Sequence, residues 1–218
     1  MTETTTATDS NRATTDWAVD YDADPIAIRD PVAEALGVLD PGDPFVVTYE
    51  DAVKAAGHSC PTAAGAYRIV QTGLDALYPD DHPVRSDIEV RVAGPRDDAT
   101  YGVMGRIVSY VTGAAEDDGF GGLAGGYGGR RDLLTFDAFE PDSPDPTFRF
   151  RRTDTDETVE VSYHVRDVPD GGPAVGHLQR ILDGSASEEQ RSAFAEAWHR
   201  RVRVVLTRDA LFTVEQID

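Results

Sequence analysis

Cysteine, lysine and long apolar runs are nearly missing from this chain. Its one cysteine, Cys60, rules out a disulfide within the chain and a closed structural zinc site built from four thiolates. Its one lysine is Lys54; the other nineteen of twenty basic residues are arginine, against forty aspartates and glutamates, for a net charge of −20. No basic face can outweigh that charge, which excludes nucleic acid as an expected partner. No apolar run approaches the ~18 residues of a membrane-crossing helix, so no membrane partner is expected. The opening residues, Met1 to Asn11, are polar and threonine-rich and have neither the apolar core nor the basic leader of a secretion signal. They read as part of a disordered tail, residues 1–24, on a cytoplasmic protein.

What is present fits a protein that works in concentrated salt. In dilute buffer a charge of −20 repels itself, whereas at molar salt the Debye length falls to about 3 Å and the repulsion is screened. Forty per cent of the 218 residues are hydrophobic, enough for one sizeable core.

The hydrophobic pattern alternates between the helical and the extended period. Asp30-Pro31 opens a short helix that stops at Gly37, with Asp30 as N-cap and Pro31 in the first helical position. Phe45–Thr48 reads as a strand and Tyr49–Ala56 as a helix ended by Gly57. After His58-Ser59-Cys60-Pro61, the residues Ala63, Tyr67, Val70, Leu74 and Leu77 fall on one helical face, with Pro61 suited to the first helical position and Cys60 at or near the N-cap. Ile88–Val92 is a strand; Val103, Met104, Ile107, Val108 and Val111 mark a helix that stops at Gly113. Strands are expected at Leu133–Phe136, Phe148–Arg152 and Thr158–Tyr163, as antiparallel neighbours, with Glu140–Pro146 as a loop. Helices are expected at Ala174–Leu182 and Ser187–Val205, the second opened by a Ser187/Gln190 capping box and buried along Phe194, Ala197, Trp198, Val202 and Val205. The pattern predicts an α+β fold, a mixed and largely antiparallel sheet packed with helices. The main domain spans 25–165 and a helical extension spans 166–218.

His58 and Cys60 carry the strongest chemical signal. Two residues apart before a helix, an imidazole and a thiol can converge on one ion, and borderline metals accept nitrogen and sulfur together. The amide dipoles of the helix N-terminus favour the thiolate such a site requires. The plainer alternative is a buried small side chain beside an ordinary loop histidine. As a nucleophile and base, Cys60 and His58 would form a thiol enzyme, although side chains two apart in a tight loop need unusual geometry to hydrogen-bond. His164, at a strand end, is the candidate remote ligand, in competition with His82, His177 and His199. Gly119–Gly129 holds seven glycines in eleven positions, followed by Arg130-Arg131. Backbone amides around Gly121 and Gly122, with Arg130 and Arg131, would suit a carboxylate or phosphate; a plain surface loop suits the same composition. Asp117-Asp118 and the His199–Arg203 run read as solvated surface, and Trp198 as core.

The run Tyr49–Arg68, with Gly57-His58-Ser59-Cys60-Pro61 and Gly65 four positions after the proline, resembles the signature of the FmdE family of formylmethanofuran dehydrogenase components. Thr112-Gly113 and the glycines that follow resemble that family's second motif, so the likeness covers about residues 45 to 136. The resemblance implies an α/β fold, a metal site using His58 and Cys60, and dimerisation. Where the family commonly carries further cysteines, this chain has Val103 and Ala114, and the zinc-ribbon tail of some members is lacking. The expectation is therefore an accessory or redox-related protein that binds a transition metal, zinc or iron, or a metallocofactor such as haem. The remaining ligands would come from elsewhere in the chain, a second subunit, water or the cofactor.

Overall fold

The structure is a computed structural model and describes residues 14–217. Its elements are β1 (Ile26–Ile28), α1 (Pro31–Ala35), β2 (Phe45–Val47), α2 (Tyr49–Ala56), α3 (Pro61–Leu77), β3 (Ile88–Val92), α4 (Tyr101–Thr112), β4 (Leu134–Thr135), β5 (Thr147–Arg152), β6 (Thr158–Tyr163), α5 (Leu178–Leu182), α6 (Glu188–Thr207) and β7 (Phe212–Ile217). The strands form a two-stranded antiparallel sheet, β1-β2, and a five-stranded sheet in the order β4-β3-β5-β6-β7. The fold is α+β, as the periodicity predicts.

Local chemistry explains most element ends. Asp30 caps α1 by accepting from the backbone N–H of Val32 and Ala33, with Pro31 at the first helical position. Thr48 and Asp51 form a capping box on α2, and Gly57 closes that helix in the left-handed region at φ 74°. Ser187 and Gln190 do the same for the start of α6. In α4 the chain leaves the helix through left-handed Gly113.

Helix α3 is the centre of the molecule. The face predicted from its period is buried, and so are Ala64, Ala66, Ile69 and Gly73, so the helix is enclosed nearly all round. It packs on β5, β6 and β7 and against α2, α4 and α6. Two glycines allow the sheet to approach closely. A Cβ at Gly65 would sit 2.3 Å from the Tyr163 ring, and one at Gly73 would sit 2.6 Å from the Phe150 ring. The Gly65 contact seats the N-terminal part of α3 against the end of β6, and the Gly73 contact seats its C-terminal half on β5.

Four expectations need correction. Residues 1–13 lie outside the described residues, but 14–24 are not a free tail: this irregular segment buries Tyr21 in the core. Strand β4 is not an antiparallel neighbour of β5; it runs parallel to β3 at the sheet edge, because the helix and glycine-rich loop between β3 and β4 return the chain in the same direction. The segment 166–218 is not purely helical. It ends in β7, which pairs with β6 over its whole length, so the sheet crosses the expected domain boundary. Within Ala174–Leu182, residues Pro173–His177 form a 3-10 turn and only Leu178–Leu182 is α-helical. Among the described residues, no helix is long and apolar enough to cross a membrane.

Candidate functional site

Cys60 occupies the N-cap of α3 with extended backbone, φ −152° and ψ 168°, and its Sγ accepts from the backbone N–H of Ala63 at 3.3 Å. Between Gly57 and Cys60 the chain is a short link joining α2 to α3. His58 and Cys60 share one side of this link, with their Nε2 and Sγ atoms 3.4 Å apart. The sequence-based objection to a direct bond between residues two apart fails for this reason.

The imidazole is oriented by its other nitrogen. Nδ1 lies 3.0 Å from the Ala56 carbonyl oxygen, which can only accept, so Nδ1 carries the proton. Nε2 then presents its lone pair to Cys60 when the ring is neutral. His58 is exposed and Cys60 is half-buried, so the pair is open to solvent on one side. A tetrahedral ion with bonds of ~2.0 Å to nitrogen and ~2.3 Å to sulfur separates those two atoms by roughly 3.5 Å. The observed spacing is close to that separation.

Ser59 points the opposite way, inward, and is held from three directions. Tyr21 donates its hydroxyl to Ser59 Oγ at 2.8 Å, and the buried Tyr49 hydroxyl lies 3.0 Å from the same oxygen. The Trp198 indole N–H donates to the Ser59 carbonyl at 2.8 Å. His199 completes the chain, with Nδ1 2.6 Å from the Tyr21 hydroxyl oxygen. The single Tyr21 proton goes to Ser59, so His199 Nδ1–H is the donor in that contact. Burial pushes the Tyr21 and Tyr49 phenols above their ordinary value. Burial, and then the nearby Arg203 cation, push His199 below its ordinary value. Sequence reading gives Ser59, Tyr21 and Tyr49 no role of their own, and offers His199 only as a competing ligand on an otherwise solvated run. Its place between the two candidate ligands is the one sequence signal that points to Ser59.

The other candidates lie apart from this pair. His164 follows β6 on the side of Glu160 and Ser162, not the side of Tyr163 that faces α3. Both of its ring nitrogens are engaged, Nδ1 with Asp145 at 2.9 Å and Nε2 with Thr213 at 2.7 Å. His82 sits just before Pro83, and His177 lies in the Pro173–His177 turn. Val103 is half-buried on α4 and Ala114 is buried, so both positions offer only apolar side chains. Among the described residues, no third histidine, cysteine, aspartate or glutamate joins His58 and Cys60 in a metal-binding group.

The glycine-rich segment folds on itself. Leu123 bridges to Tyr127, and a Cβ at Gly122 would meet the Gly126 backbone at 2.4 Å. Arg130 is not free for an anion. It reaches Asp30 at 2.5 Å, Arg85 approaches the same carboxylate at 3.5 Å, and Asp30 is buried. Burial alone would raise the Asp30 pKa, but the Ala33 N–H and the Arg130 and Arg85 guanidinia hold it below the usual carboxylate range. Arg131 is exposed, and a Cβ on Gly121 would lie 3.8 Å from its guanidinium. Asp117 and Asp118 are exposed, as expected.

No protein-family model matches this chain, and no curated protein sequence matches it.

Proposed function

We propose that this protein binds a transition metal, zinc or iron, or a metallocofactor such as haem, through His58 and Cys60. The observation that carries the reading is the orientation of the imidazole. Nδ1–H is tied to the Ala56 carbonyl at 3.0 Å while Nε2 faces the thiol sulfur at 3.4 Å. Metal-binding histidines characteristically donate their second ring N–H to a carbonyl or carboxylate, which fixes the tautomer and the ring plane. The thiol sits at the positive end of a 17-residue helix, where a thiolate ligand is stabilised. The likeness to the FmdE signature points to the same two residues. A metal held here supplies Lewis-acid or redox chemistry, and the chain supplies two ligands and their orientation. The role is an accessory or redox-related one, not that of a free-standing dehydrogenase.

The remaining ligands come from a second copy of the chain, from water or from the cofactor itself, and a homodimer is part of the reading. Light scattering in molar KCl should give about twice the 23.6 kDa chain mass. A mass near that of one chain excludes the dimer.

The same 3.4 Å contact favours a second reading, a thiol nucleophile with His58 as its base. Elemental analysis and an absorption spectrum of protein purified in molar salt separate the two. Bound metal or haem in the wild type that is lost in Cys60→Ala supports the metal centre. Metal-free wild type whose Cys60 alone reacts with iodoacetamide supports the nucleophile. An anion site at Gly121, Gly122, Arg130 and Arg131 is less favoured, because Arg130 is committed to Asp30.

A further inference from the structure

We infer that Tyr21 and His199 are positioning residues of the His58–Cys60 site, so that the irregular segment before β1 and the middle of α6 belong to its working unit. The inference rests on the metal-centre reading for its main readout. Ser59 is the covalent link between the two ligands, so what holds Ser59 also sets the placement of both neighbours. Its side chain has only Tyr21 and Tyr49 as partners among the described residues. Tyr49 is buried on α2, so its hydroxyl is a fixed point. Tyr21 comes from a segment without helix or strand.

That segment is nevertheless fastened. The Asp24 carbonyl accepts from the Tyr67 hydroxyl and from Gln71 Nε2, both at 2.9 Å, and the Asp20 carbonyl from Arg203 at 3.5 Å. His199 Nδ1–H then holds the Tyr21 oxygen at 2.6 Å, which leaves the phenol proton directed at Ser59. The ring contacts agree, with Tyr21 edge-on to Tyr49 at 5.1 Å and to His199 at 5.9 Å. The chain His199–Tyr21–Ser59 thus fixes the rotation of Ser59 from one side while Trp198, the neighbour of His199, fixes its carbonyl from α6. Removing the Tyr21 hydroxyl leaves Ser59 Oγ with Tyr49 as its one side-chain partner among the described residues and strands a half-buried N–H on His199. Loss of such outer partners typically weakens metal binding 10–100-fold.

The test uses the full chain in molar KCl, with cobalt(II) as the probe, and compares wild type with Tyr21→Phe, His199→Ala and His199→Asn. Asparagine places an amide N–H close to where Nδ1–H stood. Tyr21→Phe and His199→Ala should weaken cobalt binding about 10–100-fold and shift the thiolate-to-cobalt absorption band. His199→Asn should restore most of both. A merely structural role lowers the melting temperature without shifting the band, and wild-type affinity and band in Tyr21→Phe and His199→Ala overturn the inference. If Tyr21→Phe fails to fold, the two His199 variants carry the same comparison. If wild type binds no cobalt, the metal-centre reading fails on its own, and the Cys60 alkylation rate of metal-free protein becomes the readout. A rate changed by Tyr21→Phe and His199→Ala and restored by His199→Asn sustains the positioning role. Equal rates in all four proteins overturn it.

Discussion

His58 Nε2 and Cys60 Sγ stand 3.4 Å apart across a residue that faces the other way. Ser59 turns into the protein, where Tyr21, Tyr49 and Trp198 hold it, and its two neighbours turn out together. The inward residue therefore governs the outward pair.

Stability should rise with salt. The chain carries −20, and its arginines answer only part of the acid surface, in pairs such as Arg149–Glu160 and Arg151–Glu89. Screening weakens those pairs slightly but relieves the larger net repulsion. Thermal melts should move upward from dilute buffer to molar KCl. Equal melting temperatures in the two would contradict the salt-adapted reading.

Asp30→Asn should cost about 3–5 kcal/mol, because it leaves Arg85 and Arg130 beside one another without their shared carboxylate. Asparagine still caps α1, so loss of the cap is not the cause. Urea unfolding in molar KCl measures the difference, and a change within about 1 kcal/mol would show the three-residue ion cluster to be dispensable.

Gly65→Ala should destabilise the fold by about 1–3 kcal/mol, since the new methyl meets the Tyr163 ring at 2.3 Å. The same substitution at a helical glycine in open space gains stability, so the sign of the change in urea midpoint is diagnostic.

Acid should weaken the fold partly through His199. Its folded pKa lies below the ordinary value of 6.5, so the unfolded chain binds the proton more readily. This contribution is complete above the unfolded value and is lost as pH falls through the folded one. Stability of wild type should therefore decline on acidification from neutrality, and His199→Asn should decline less steeply over the same range. Parallel slopes in urea midpoint against pH would remove His199 from the account.

Elements whose ends are written in local chemistry are legible in the sequence. Asp30, Thr48, Gly57, Cys60, Gly113 and Ser187 each mark a boundary the structure reproduces within a residue or two. Strand β7 is not legible. Its exposed middle, Thr213 to Gln216, has no buried face to pattern it, and only pairing with β6 makes it a strand. The parallel direction of β4 depends on a long return through the glycine-rich loop, which composition cannot orient. At the site, His58 and Cys60 stand out because they are close in sequence. Tyr21 and His199 lie 178 positions apart and meet only through the packing of α6, so no local pattern exposes them. His164 suggests itself as a remote ligand only while strand alternation is not followed past Tyr163 to the side on which it emerges.

The most direct test is a metal titration of wild type, His58→Ala, Cys60→Ala and the double variant in molar KCl, with circular dichroism to confirm the fold. Ligands of one ion are coupled, so each single substitution should abolish most binding and the double variant should be little worse than either. The core stripe of Tyr67, Val70 and Leu74 is untouched, so all four proteins should fold alike. Full metal occupancy in Cys60→Ala, or additive losses in the double variant, would contradict a shared centre.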